Sequence, residues 1–315
     1  MAKSDVHPDM QILAAARAPA GMFDDSIAGQ RAAWAYYSKR LHRPPPETMQ
    51  VWDTSVAAPG GDVALRVYTP ASAPKTHAPA VLYMHGGGFM KGDLDSSEPI
   101  AWGFAEGAGA VVVSVDYRLA PEHPYPAAVE DCWAALNWLV AEAPTLGVDP
   151  NRIGVAGDSA GGNLGAVMCL MARDKDGPAI ACAALVYPGT GLDQTYPSYL
   201  EFANGQGLTL AGTRAYRDMY LPGNRDTDDP YARPVMATDL TGLPPMLVHS
   251  AALDPIRDDG RVLAAKVAEA GGDVSYREAR GMVHGFMRAR FGGDAARREF
   301  DHICRFLRQE LGGVS

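Results

Sequence analysis

From residue 79 onward the chain alternates short apolar, β-branched runs with longer stretches of helical spacing. That alternation limits the possible folds more than any other feature. Residues 111–115 read as a buried strand, 80–84 as a short apolar run, and 152–157, 180–187, 245–250 and 273–279 as further strands. Between them, residues 96–108 and 127–143, a run starting at 160, and residues 257–270 and 295–311 carry helical periodicity, with Trp133, Leu136 and Leu139 on one face. Strands that return through helices predict an α/β fold, a mostly parallel sheet with helices on both faces. The alternation pauses between about 190 and 242, where Tyr, Asp, Gly and Pro are frequent and no strand is evident. Such a pause predicts an insertion over the sheet, a place that ligand sites favour. At the other end, residues 1–43 read as helical pieces, Pro44-Pro45-Pro46 as a stiff break, and residues 50–57 and 62–68 as two strands joined at Pro59-Gly60-Gly61.

The 315 residues, 47% hydrophobic and 21% charged, suffice for one large core. With 28 Lys+Arg against 37 Asp+Glu the net charge is −9, and no basic run is present that could neutralise a phosphate backbone, so nucleic acid is not an expected partner. The apolar stretch from Ile12 to Ala16 ends at Arg17, too short for a secretory signal core, and no run approaches the roughly 18 apolar residues of a membrane helix. A cytoplasmic location is therefore expected. Cys132, Cys169, Cys182 and Cys304 lack CxxC spacing and are expected to be buried free thiols. No metal-ligand spacing, P-loop or G-x-G-x-x-G turn occurs, so neither metal nor cofactor is expected.

One strand-to-helix junction carries chemistry. Gly157-Asp158-Ser159-Ala160-Gly161 fits G-x-S-x-G, a sharp turn that exposes the serine hydroxyl and places the Ala160 N–H at a helix start. A Gly-rich turn with a helix-capping serine would read the same, so the motif needs company. His85-Gly86-Gly87-Gly88-Phe89 supplies it directly after the strand at 80–84. Its bare backbone makes Gly87 and Gly88, with Ala160, the candidate oxyanion donors. Of the eight histidines, His284 in Gly281-Met282-Val283-His284-Gly285-Phe286 is the candidate base. It is flanked by glycines in a loop after the last strand. His85 is expected to order its loop, and His123 and His249 to be structural. Asp254, at a strand end, is the candidate orienting acid. Asp254-Pro255 also suits a helix start, and Asp258 and Asp259 are alternatives one turn on, but the strand-end position favours Asp254. The order Ser159, Asp254, His284 is that of α/β-hydrolases. Activity should then rise with pH as His284 loses its proton. Asp158 has no role that the sequence reveals.

These motifs, with Asp116-Tyr117-Arg118-Leu119-Ala120-Pro121-Glu122, Tyr125-Pro126-Ala127-Ala128 and Asp254-Pro255-Ile256-Arg257-Asp258, make the chain resemble the hormone-sensitive-lipase-like family of α/β-hydrolase carboxylesterases. The resemblance implies an eight-stranded, mostly parallel sheet and a helical cap. It divides the chain into residues 1–45 (first part of the cap), 46–189 (core), 190–242 (cap insertion) and 243–315 (core). It implies Ser159, Asp254 and His284 as triad and Gly87, Gly88 and Ala160 as oxyanion hole. It also implies short-chain acyl esters as substrates and a possible homodimer, for which the last helix and its neighbouring strand offer a face. The residues Ala251-Ala252-Leu253 depart from the acidic and aromatic pattern that the family often shows there. From composition, Phe202, Leu208, Tyr216, Tyr220 and Leu221 of the insertion and Phe89 of the core are candidates to contact substrate. An amidase, lactonase or peptidase would use the same triad. A non-catalytic receptor, as the plant gibberellin receptor is among this family's relatives, would have lost the histidine that is present here.

Overall fold

A computed structural model describes residues 6–191 and 195–312. Its strands are β1 Gln50–Ala58, β2 Gly61–Thr69, β3 Ala78–Met84, β4 Val111–Val115, β5 Val148–Asp158, β6 Cys182–Val186, β7 Met246–Leu253 and β8 Val274–Val283. Its helices are α1 Gln11–Ala16, α2 Ile27–Leu41, α3 Leu94–Ala108, α4 Ala127–Ala141, α5 Ala160–Asp174, α6 Pro197–Glu201, α7 Leu210–Tyr220, α8 Arg257–Glu269 and α9 Asp294–Glu310. The strands form one sheet in the order β1-β2-β4-β3-β5-β6-β7-β8. The pairs β1–β2 and β2–β4 are antiparallel and all others are parallel. The α/β-hydrolase architecture expected from the sequence is therefore the one observed.

Side chains of the central strands alternate between two cores, as strand geometry requires. Leu82 and Met84 of β3 join α4, α5 and α8 on one face. Val81 and Tyr83 join α3 and α9 on the other. Helix α9 shows why it lies there. Ala296, Phe300, Ile303, Cys304 and Leu307 form its buried stripe, while its other face is charged. No described helix is long and apolar enough to cross a membrane, and the four cysteines are free and buried.

The sheet order sets the position of the site. The connection from β3 runs to β4 on one side and the next parallel strand, β5, lies on the other, so the chain reverses direction between β3 and β5. At such a switch point the loops leaving the two strands diverge and open a crevice at their C-terminal ends. The loop from His85 to Gly88 leaves β3 there, and Ser159 leaves β5.

Three departures from expectation stand out among the elements. Strand β5 begins at Val148 rather than at 152, because Ala78 pairs with Val148 ahead of a register shift. Strand β8 does not end at 279. The register shifts between Ala251 and Leu253, where residues 280–282 of β8 bulge against the single residue Ala252 of β7, and Leu253 lies opposite Val283. His284 therefore follows a strand directly instead of sitting inside a loop, next to the end that carries Asp254. A bulge commonly re-aims side chains in this way. Third, residues 190–242 contain α6 and α7 where the sequence offered little periodicity.

His249, buried in β7, pairs through Nε2 with Glu299 at 2.9 Å, and Arg277 closes on the same carboxylate at 2.7 Å. Burial pushes the Glu299 carboxyl up, but hydrogen bonds from His249 and Arg277 outweigh it and hold the group at about 2, below its ordinary value of 4.5. A depressed carboxylate pKa stabilises the fold fully above the unfolded value and loses that contribution as pH falls toward the folded one. Urea unfolding should therefore show stability falling between about pH 4.5 and 2 in the wild type and falling less steeply in Glu299→Gln. Equal slopes would remove this cluster as a source of acid sensitivity.

Candidate active site

Ser159 occupies a backbone conformation (φ 58°, ψ −116°) that non-glycine residues rarely adopt. The turn tolerates it because its surroundings are tightly specified. The Ser159 N–H donates to Val186 O at 2.9 Å, and Asn163 N–H to Ser159 O at 3.1 Å. Glycines stand two before and two after for want of space. A Cβ on Gly157 would collide with the Gly161 carbonyl, and one on Gly161 with the carbonyl of Met84.

The structure brings Ser159, His284 and Asp254 into a chain of hydrogen bonds. His284 Nε2 lies 2.9 Å from Ser159 Oγ, and Nδ1 lies 2.6 Å from Asp254 Oδ2. An ionised carboxylate only accepts, so the arrangement suits a proton on Nδ1, leaving Nε2 free to accept from the hydroxyl. Asp254 is fully buried, and its Oδ1 also accepts from the Ile256 N–H at 3.1 Å. It thus fills both readings open in the sequence: it braces the start of α8 and faces the histidine. Asp258 and Asp259 point elsewhere. Asp258 accepts from Ser198 N–H and Arg257, and Asp259 from Gly191 N–H and Tyr199.

Gly87, Gly88 and Ala160 line the same cavity as Ser159 and His284. Gly88 has φ +65°, and a Cβ there would strike the ring of Tyr216. His85 does not face the serine. It is buried and stacked on Tyr117 with ring centroids 4.3 Å apart, and Tyr117 Oη donates to His85 O at 2.6 Å. The Asp116-to-Glu122 motif thereby braces the glycine loop, with Arg118 bound to buried Asp131 and Glu122 to Arg31 of α2.

Asp158 has a position that sequence reasoning missed. Its Oδ1 accepts from Tyr83 Oη at 2.7 Å and from the Gly86 N–H at 2.9 Å, and its Oδ2 lies 3.3 Å from Tyr187 Oη. The residue beside the serine therefore anchors the loop that carries Gly87 and Gly88. Only β3 and β5 being neighbours reveals this. Asp158→Ala should destabilise the protein by roughly 1–3 kcal/mol for each buried donor it orphans. Asp158→Asn, which keeps an acceptor, should cost less in the same urea titration. Equal losses would point to the charge rather than to the hydrogen bonds.

The cavity measures about 690 Å³, within the usual range for small-molecule sites. Of the residues expected from composition, Phe89, Leu208 and Tyr216 line it, whereas Phe202, Tyr220 and Leu221 do not. All three are buried elsewhere. Tyr220 stacks on Phe89 at 3.7 Å from behind, Phe202 lies under Arg257, and Leu221 joins the core against α4 and α5. Their places on the wall are taken by Met10, Leu13, Trp34 and Tyr37 from the N-terminal segment and by Lys91 and Arg288. The backbone of Gly207, in the 190–242 segment, lies directly on the carbonyl of His284.

Comparison with known proteins agrees with this fold. A family profile described as the alpha/beta hydrolase fold matches residues 81–288. Esterase LipI of Mycobacterium tuberculosis is 44% identical over 242 residues, covering 76% of this chain and 75% of that one. The chain belongs to the hormone-sensitive-lipase-like family of α/β-hydrolases. Carboxylesterase NlhH of the same organism is 45% identical over 229 residues, 72% of each chain. The solved esterase of Pyrobaculum calidifontis superposes with a TM-score of 0.88 at 35% identity, covering 96% of this chain and 98% of that one. As a member of this family the protein is an enzyme of the serine esterase class.

Proposed function

We propose that the protein hydrolyses short-chain acyl esters through an acyl-enzyme on Ser159. The observation that carries this reading is the Ser159–His284–Asp254 chain, at 2.9 and 2.6 Å, opening on a cavity edged by the glycine loop. His284 Nε2 takes the Ser159 proton as Oγ attacks the ester carbonyl, and Asp254 holds the ring and stabilises its charged form. The N–H groups of Gly87, Gly88 and Ala160 receive the developing oxyanion. His284 then protonates the leaving alcohol, and water, activated by the same imidazole, releases the acid from Ser159.

The described parts of residues 1–45 and 190–242 form the cap over this site. Their contribution of Trp34, Tyr37, Leu208 and Tyr216 to the wall supports that division. Aromatic walls suit small acyl groups. Four buried free thiols fit a reducing cytoplasm, and β8, an edge strand, offers a second copy a place to pair. A series of p-nitrophenyl esters tests the substrate range. We expect the second-order rate to peak at acyl chains of about two to six carbons and to fall beyond. Equal rates on long-chain triglycerides would defeat the short-chain reading. Turnover of amides or lactones with no turnover of esters would replace it.

A further inference from the structure

The cavity wall carries positive charge that hydrolysis of a neutral ester does not use. Arg288, four residues beyond His284, lines the cavity and is buried, with 8% of its surface exposed. It forms no ion pair among the described residues. Its Nη1 donates to Ser96 O at 2.7 Å, its guanidinium lies 4.5 Å from the centre of the Trp34 ring, and its Nη2 has no hydrogen-bond partner. Lys91 follows the glycine loop and also lines the cavity. Its Nζ donates to Tyr216 Oη at 2.7 Å and stands 5.2 Å from the Trp34 ring and 4.9 Å from that of Tyr216. No carboxylate among the described residues pairs with it. Two cations thus share one indole on the wall of the site, in a protein whose net charge is −9.

The acids nearby do not answer them. Asp158 is committed to Tyr83 and Gly86 behind the glycine loop, and Asp254 to His284. Taking a guanidinium out of water is unfavourable unless a counter-charge or a π face compensates it. Trp34 supplies only part of that compensation, and an anion inside the cavity would supply the rest.

We propose that the cavity selects esters bearing a second, anionic group, a carboxylate, held by Lys91 and Arg288. The reaction is unchanged in kind: the acyl C–O bond breaks, and water gives its oxygen to the acid and a proton to the alcohol. A monoester of a dicarboxylic acid would yield the dicarboxylate. This rests on the esterase reading above, and the test separates the two.

The experiment compares p-nitrophenyl monoglutarate with p-nitrophenyl pentanoate, which has the same carbon chain and no charge, in wild type, Lys91→Met and Arg288→Lys. We expect wild type to favour the acidic ester in kcat/KM and to lose that preference as salt rises. Lys91→Met should lower the ratio of acidic to neutral rates at least about tenfold. Free glutarate should inhibit turnover of the neutral ester competitively in wild type and more weakly in Lys91→Met, a readout that survives if Arg288→Lys fails to fold. A wild-type preference for the neutral ester, with a ratio unmoved by Lys91→Met, would overturn the inference while leaving the esterase reading intact. Failure to hydrolyse either ester would count against both.

Discussion

Ser159→Ala is expected to lower kcat for a short p-nitrophenyl ester by about 10⁵- to 10⁶-fold, the scale on which loss of a triad nucleophile acts. The variant should remain folded. The Ser159 N–H bond to Val186 O is a backbone contact, and the hydroxyl's described partner is His284 Nε2 alone. Alanine adopts the same strained backbone at similar cost, so an unchanged melting temperature is the control. A fluorophosphonate, which phosphonylates a reactive serine with loss of fluoride, should label wild type on the peptide containing Ser159 and leave the variant unlabelled. Turnover above about one hundredth of wild type in the folded variant would mean that another group attacks the ester.

Asp254→Asn is expected to cost about 10⁴-fold in kcat. The amide can present an N–H to His284 Nδ1, which favours the tautomer protonated on Nε2, and that tautomer cannot accept the serine proton. The contact to the Ile256 N–H needs only an oxygen, so the start of α8 is preserved. Asp258→Asn and Asp259→Asn provide the contrast. Their carboxylates hold Ser198, Tyr199 and Gly191, and neither reaches the histidine. We expect each of them to lose less than about tenfold in kcat while lowering stability. A full loss of activity in Asp258→Asn with Asp254→Asn still active would reassign the orienting acid.

The residues of the proposed triad were legible because their chemistry is written locally. A G-x-S-x-G turn names its own nucleophile, and a histidine between glycines after a strand is exposed by its neighbours. The wall was less legible. Composition pointed to Phe202, Tyr220 and Leu221, but aromatic and aliphatic side chains serve packing as readily as binding, and these three are packed away from the cavity. Trp34 and Tyr37, more than a hundred residues from Ser159, gave no local sign of facing it. Asp158 was visible and unexplained, since its partners Tyr83 and Gly86 lie on a strand and loop some seventy positions away.

The sequence by itself determined the α/β class, the alternation that builds the parallel sheet, the helices on both its faces, and the chain order of the proposed nucleophile, acid and base. Periodicity, turn chemistry and glycine placement act over a few residues, so a linear reading captures them. The tertiary structure alone decided which strands are neighbours, how a bulge in β8 keeps it paired with β7 up to Val283, and which side chains face the cavity. Those outcomes depend on long-range packing, where every apolar side chain competes for the same buried space and one residue's position is set by all the others. The unpaired charges of Lys91 and Arg288 belong to that second class, because a cation is known to lack a partner only when everything around it has been placed.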